Sequence, residues 1–332
     1  MAIRSIGVLA VGLTCGLAFS ALFQTAALAQ DKALQNKPLD VVKVAIPQRG
    51  SWETSPADIG QQAGIFAKHG IKTEVLYTSG GGETMQALIS ASVDIAVATG
   101  TTAIMAAFAK NAPIRPIASS ITGAQDIFWY VPANSPIKSL KEAAGKTIAF
   151  SALGSSSNLA TLTLIKQAGV EMKPVPTGVS QATYAQVMSG QIDVGWGAVP
   201  FGIDLIEQKK IRIVGRYSDI PEYRNMTARL HAANLQFITK RSDVLKRFLD
   251  AYGETLDWMY KGDDAVKAFA KFYELPLNEV TIARDQFYSR KSLDLKRLSG
   301  LDQAMQDALA LKFITKPLTK AEMDDMFKYF IK

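Results

Sequence analysis

Apolar positions along this chain switch from helical spacing to short strand runs, and they do so twice in the same order. In the first passage Met85, Leu88 and Ile89 keep a helical period and then, after a Ser-containing turn, give way to Val93-Asp94-Ile95. In the second, Tyr184, Val187 and Met188 give way to Ile192-Asp193-Val194. At one constant offset Gly70 meets Gly169, Thr84 meets Thr183, Leu88 meets Val187, Ser90 meets Ser189 and Asp94 meets Asp193. An apolar strand precedes each helix, Thr73 to Tyr77 in the first copy and a weaker, Pro-interrupted Lys173 to Pro176 in the second. Strands alternating with helices predict parallel sheets covered on both faces, and two like units predict two like lobes. The period is too long for a solenoid or propeller.

The same pattern extends on either side of the repeats. Val41 to Ile46 reads as the first strand, and a helix is expected from about Pro56 to Lys68. Thr101 to Lys110 is helical and Ile114 to Ser119 another strand, which completes a first lobe. A second lobe begins near Phe128 to Pro132, has a helix start at Ser139 to Glu142, a strand at Gly145 to Phe150, a helix at Leu159 to Gln167 and a late strand at Ile211 to Val214. The chain then returns through an extended segment, Ala232 to Ile238, and is almost wholly helical from Ser242. The expected architecture is two doubly wound α/β lobes joined by a two-segment hinge, with a helical C-terminal extension. Its boundaries fall at 40–127 plus 233–332 for the first lobe and 128–232 for the second.

Composition changes the picture mainly at the start of the chain. Arg4 is the only charge before an apolar stretch, Ile6 to Phe23, and Ala27-Leu28-Ala29 follows before Gln30. This is the build of a secretory signal peptide over residues 1–29; an uncleaved anchor is the alternative, since the run approaches the roughly 20 residues that span a bilayer. Cleavage would remove Cys15, the only cysteine, so a disulfide-stapled scaffold and thiol chemistry are excluded for the mature chain. The remaining roughly 300 residues are enough for two domains with their own cores. The formal charge of +7 is carried by basic residues mixed with acids, as in Lys240 to Arg247, which reads as solvated helix faces and not as a nucleic-acid surface.

In open α/β sheets ligands sit beyond the carboxyl ends of the strands, where loops enter helix N-termini. Four such loops are rich in Gly, Ser and Thr: Gln48 to Trp52, Ser79 to Thr84 with Gly81 and Gly82, Thr99-Gly100-Thr101-Thr102, and Gly154-Ser155-Ser156-Ser157. Unpaired N–H groups at a helix start, with the macrodipole, make an anion site without Lys or Arg. Each loop can also be an ordinary cap or turn. Trp52 is expected to cover the apolar part of a ligand, while Trp196 reads equally as cleft or core. Gly80-Gly81-Gly82 is not followed by Lys-Ser or Lys-Thr, so no nucleotide P-loop is supported. Two histidines, His69 and His231, cannot build a His-rich metal site, and the Ser155 loop lacks the Gly-x-Ser-x-Gly elbow. Asp94 and Asp193 read as braces of the strand entrance rather than an acid pair.

At these residues the chain resembles the periplasmic substrate-binding proteins of the nitrate, sulfonate, taurine and bicarbonate class of ABC transporters, a branch that includes thiamine-precursor-binding relatives. The resemblance spans about Val41 to Tyr260. It rests on Ile46-Pro47-Gln48, Gly80 to Leu88, Ala91 to Ala96, Ser135 to Lys141, and Gly145 to Ala149 with Gly154-Ser155-Ser156. It implies a monomer of two lobes closing on one small molecule, which is passed to an inner-membrane permease with its ATPase, and calls for no cofactor and no nucleic acid. Relatives often carry Trp-x-Pro or Trp-Asp-Pro where this chain has Ala198-Val199-Pro200, with Trp196 earlier. A buried carboxylate for a ligand amine is thus missing at Val199, which points to simple organic anions, sulfonate or carboxylate, rather than taurine-like zwitterions. The alternatives are a neutral pyrimidine ligand, a sensing module that hands its ligand to a membrane receptor, and an enzyme like the pyrimidine-synthesising relatives. An enzyme of that kind would need a His or Cys cluster.

Overall fold

The computed structural model describes residues 38–331, so the expected signal segment at 1–29 lies outside the described residues. Ten strands follow along the chain: β1 (Asp40–Ile46), β2 (Ile71–Tyr77), β3 (Ile95–Gly100), β4 (Ile114–Thr122), β5 (Ile127–Pro132), β6 (Thr147–Phe150), β7 (Lys173–Pro176), β8 (Gly195–Ala198), β9 (Ile211–Arg216) and β10 (Thr227–Asn234). Between them lie α1 (Pro56–Gln62), α2 (Ile65–Lys68), α3 (Gly81–Ile89), α4 (Thr101–Ala109), α5 (Ser156–Ala168), α6 (Ser180–Met188) and α7 (Ile203–Glu207). The C-terminal layer is α8 (Leu235–Lys240), α9 (Ser242–Met259), α10 (Asp264–Tyr273), α11 (Leu277–Phe287), α12 (Leu301–Ala310) and α13 (Lys320–Met326).

The strands form two α/β lobes of the same plan. The first lobe has a five-stranded sheet in the order β2-β1-β3-β10-β4, with β1, β2 and β3 parallel and β10 antiparallel to both neighbours. In the second lobe β6 and β7 pair in parallel, β5 runs antiparallel between β8 and β9, and the two pieces meet at a parallel bridge between Ile148 and Val194. Across that bridge the order is β7-β6-β8-β5-β9, the counterpart of the first lobe strand for strand. Each lobe therefore receives one antiparallel strand, β5 or β10, directly after a crossing from the other. β3 is buried at all six positions, as expected of a strand covered on both faces.

The sequence repeat is retained as geometry. Asp94 Oδ2 accepts the Lys43 N–H at 2.8 Å, and Asp193 Oδ2 accepts the Thr147 N–H at 2.9 Å, so one acid braces β1 and the other its counterpart β6. Thr78 and Thr84 hydroxyls meet at 2.6 Å, as do those of Thr177 and Thr183. The second Thr of each pair also donates to the carbonyl at its helix start, Gly80 or Val179, at 3.1 Å.

Several local expectations differ from the structure. The helix expected over Pro56 to Lys68 is two helices, because Gly64 takes a left-handed φ of 75° between them. Ser139 to Glu142 opens only a 3-10 turn, Leu140–Glu142. The extended segment expected up to Ile238 stops at Asn234, whose side chain accepts the Gln236 N–H and starts α8. Residues 227–232, expected in the second lobe, pair with β3 and β4 in the first sheet. Their alternation of polar and apolar residues looks the same from either side of a crossing, and only pairing assigns it. No described helix is long and apolar enough to cross a membrane.

Candidate functional site

A cleft opens where the carboxyl ends of β1, β3 and β6 face each other. Four helices begin at its wall. Gly80 and Gly81 bring the start of α3, Gly100 the start of α4, Ser155 and Ser156 the start of α5, and Val179 the start of α6. Each of these helices is nine residues or longer, so each turns unpaired N–H groups and a partial positive charge toward one volume. Pro47, Ile127, Val179, Trp196 and Ala198 supply apolar wall.

Local hydrogen bonds fix the polar lining. Ser155 Oγ caps α5 by accepting the Asn158 N–H at 3.1 Å, and Ser151, Ser155 and Ser157 hydroxyls stand 2.9 Å from one another in a triangle. Ser180 Oγ accepts the Ala198 N–H and donates to Gln48 Oε1, both at 3.2 Å, and so ties the second lobe to the first across the cleft. Trp196 holds its ring against the wall through Nε1–H to the Gly178 carbonyl at 3.2 Å.

Arg229, on β10, also lines the cavity. Its Nη1 lies 2.9 Å from Glu53 Oε2 and its Nη2 2.5 Å from Asp126 Oδ1, and both carboxyl groups are inaccessible to solvent. Burial alone would lower the Arg229 pKa, but the flanking Asp126 and Glu53 carry it above its ordinary value, so it is a cation. Burial also pushes Glu53 up to about 7, opposed by Arg229 and aided by the charge of Asp126.

Of the sequence-predicted residues, Gln48, Gly81, Gly100, Ser155, Ser156 and Trp196 line this cavity. The others do not. Trp52 is a correction: its ring is fully buried, donates Nε1–H to Tyr260 Oη at 3.1 Å and packs on Phe269 with centroids 5.1 Å apart. Tyr260 directly follows α9 and Phe269 lies on α10, both some 200 residues further along the chain. A loop tryptophan looks ligand-facing until the distant helices that roof it are known. Thr99 and Thr101 donate their hydroxyls to the Leu230 and Thr227 carbonyls at 2.9 and 2.6 Å, inside the first lobe, and Thr102 is buried beside them. Gly82 faces Ala152 and Gly154 faces Ala103 where the lobes touch, and Pro200 lines an outer groove with Arg49, Tyr77 and Phe201. Trp52→Ala is accordingly expected to lower stability by about 3–5 kcal/mol in a denaturant titration, while the folded fraction keeps its ligand affinity.

Sequence reasoning misses Thr54, Ser151, Ser180 and Arg229, and reaches Ser51 and Ser157 only as members of their loops. Ser180 has a signal: the repeat offset that pairs Asp94 with Asp193 also pairs Gly81 with Ser180. Glu53 and Asp126 have none, since a lone acid in a loop carries no mark of burial. Among the described residues no group of three or more His, Cys, Asp or Glu is placed to hold a metal ion.

Comparison with known proteins agrees with this architecture. The sequence pattern of the NMT1/THI5-like family matches residues 54–265, and the chain belongs to that family. No curated protein matches the sequence. Among solved structures, the alkanesulfonate-binding protein SsuA from Xanthomonas axonopodis pv. citri, bound to MOPS, is 16% identical with a TM-score of 0.67, over 88% of this chain and 94% of that one. The periplasmic nitrate-binding protein NrtA from Synechocystis PCC 6803 is 12% identical with a TM-score of 0.70, over 88% and 86%. The desulfurization enzyme DSZB is 15% identical with a TM-score of 0.61, over 88% and 96%. The shared property is the periplasmic-binding-protein fold, which hosts both binding proteins and an enzyme, so function has to be argued from the site.

Proposed function

We propose that this protein is the periplasmic solute-binding component of an ABC importer and that it holds a small organic anion, a sulfonate or carboxylate, in the cleft between its lobes. The observation that carries this reading is the convergence of four helix N-termini on one volume. Arg229 is already offset by Glu53 and Asp126, so recognition of negative charge falls to backbone N–H groups and the Ser155 and Ser156 region. The apolar wall of Ile127, Trp196 and Ala198 favours an organic body over a bare inorganic ion. Export through the segment at 1–29 and delivery to a permease with its ATPase are the roles the resemblance implies. Contacts to both lobes would favour the closed state, which is the form a permease would receive.

A thermal-shift screen of the purified protein against sulfonates, carboxylates, nitrate and neutral pyrimidines tests the reading. A ligand at a hundred times its dissociation constant adds roughly 2.7 kcal/mol of stability. A response confined to organic anions is the expected result. Silence from every anion together with a response to a pyrimidine would overturn it.

A further inference from the structure

We propose that the cleft takes up its anion together with one proton, held by Glu53 behind Arg229. This rests on the anion reading of the cleft and specifies the charge balance of that same site.

The geometry sets two carboxyl groups against one guanidinium. Arg229 contacts Glu53 at 2.9 Å and Asp126 at 2.5 Å, and both acids are fully shielded from water. Ser120 Oγ donates to Glu53 Oε1, while Glu53 Oε2 and Asp126 Oδ2, both buried, have no hydrogen-bond partner beyond the charge contact of Arg229 with Glu53. Among the described residues no second cation pairs with either acid, so with both ionised the cluster holds one surplus negative charge away from water.

The other titratable groups around Glu53 do not relieve that surplus. Tyr252, from α9, donates its hydroxyl to the Glu53 carbonyl at 3.1 Å, and Tyr288 donates to the Val199 carbonyl at 2.9 Å. Burial raises the pKa of both, and that of Tyr217 near Arg229 and Asp126, so all three stay neutral. His231 stands 4.9 Å from the Tyr252 ring, and burial pushes its pKa down to about 3, so it is neutral as well.

Arg229 lines the cavity, and its buried Nε has no hydrogen-bond partner. An anion held at the helix starts of the same cavity brings a second negative charge close to a cluster already in surplus. Protonation of one carboxyl removes the conflict, and Glu53 is poised for it, since burial has pushed it up to about 7 before any ligand arrives. The bound anion raises that value further. Affinity is therefore greatest below the free-state value and falls by up to about tenfold per pH unit above it.

The test is isothermal titration of the protein with ethanesulfonate, benzenesulfonate, benzoate and nitrate between about pH 6 and 8.5. At about pH 7.5 it is repeated in imidazole and in Tris, whose ionisation heats differ. The expected result is uptake of up to one proton per bound anion and an affinity up to about fivefold weaker at pH 8 than at pH 7. Glu53→Gln should still bind the anion, with a flat pH profile and no proton uptake. If an anion binds with pH-independent affinity and no proton uptake, the proposal is overturned while the anion reading stands. If none of the four binds at any pH, the anion reading fails and the proposal with it. Should Glu53→Gln not fold, the wild-type proton count decides alone.

Discussion

Gly100→Val is expected to fold as the wild type does and to lose ligand affinity by about 30-fold to 150-fold. Gly100 has φ −60° and ψ 135°, a conformation open to any residue, so its backbone does not require glycine. The requirement comes from the other lobe. A Cβ built there would lie 2.6 Å from the Gly154 carbonyl oxygen, 3.3 Å from the Ser156 nitrogen and 3.4 Å from the Ser155 carbonyl carbon, all backbone atoms that cannot swing aside. The clash exists only while the lobes touch. Overpacking of this kind costs about 2–3 kcal/mol, which here falls on the closed state and so on affinity. Gly81 is the control: its added Cβ would meet Ser155 Cβ at an ordinary 3.7 Å, so Gly81→Ala should change closure little. Binding titrations and ligand-free melting curves check both variants. A Gly100→Val protein whose ligand-free melting temperature falls sharply would place the effect inside the first lobe and contradict this account.

The second large effect is on stability. Arg229→Leu is expected to destabilise the protein by about 3–5 kcal/mol at pH 8, because it leaves Glu53 and Asp126 buried and ionised with no countercharge. The loss should shrink at pH 5, where Glu53, raised by burial and no longer held down by Arg229, takes up a proton. It should also shrink in the triple variant Arg229→Leu, Glu53→Gln, Asp126→Asn, which removes the charges together. In the wild type the sign of the Glu53 contribution follows from its raised value. Its folded pKa of about 7 exceeds the ordinary 4.5, so it contributes stability that is fully present below 4.5 and lost as pH rises toward 7. Melting temperatures of wild type and variants at the two pH values check this, and an Arg229→Leu protein as stable at pH 8 as the wild type would show that the ion cluster carries no such load.

Much of the fold was legible because the signal was local and duplicated. Helix and strand periods around Leu88 and Val187 fix the elements, and the brace from Asp94 to Lys43 recurs from Asp193 to Thr147. The site was legible only where position within an element decides it. Ser155, the N-cap of α5, faces the cleft because helix starts do, whereas Thr101, the first residue of α4, turns its hydroxyl to the Thr227 carbonyl on a strand that joins the sheet from far along the chain.

The sequence by itself determined the two α/β units, their likeness, and the Gly- and Ser-rich loops at the helix starts, since each depends on residues within a few turns of one another. Only the tertiary structure decided that Trp52 is roofed by Tyr260 and Phe269, that β10 completes the first sheet, that Gly100 is needed for the approach of Gly154, and that Glu53 and Asp126 share Arg229. The physical reason is the same in each case: burial, backbone approach and charge pairing are set by which distant segments meet, and a local pattern carries no record of that meeting.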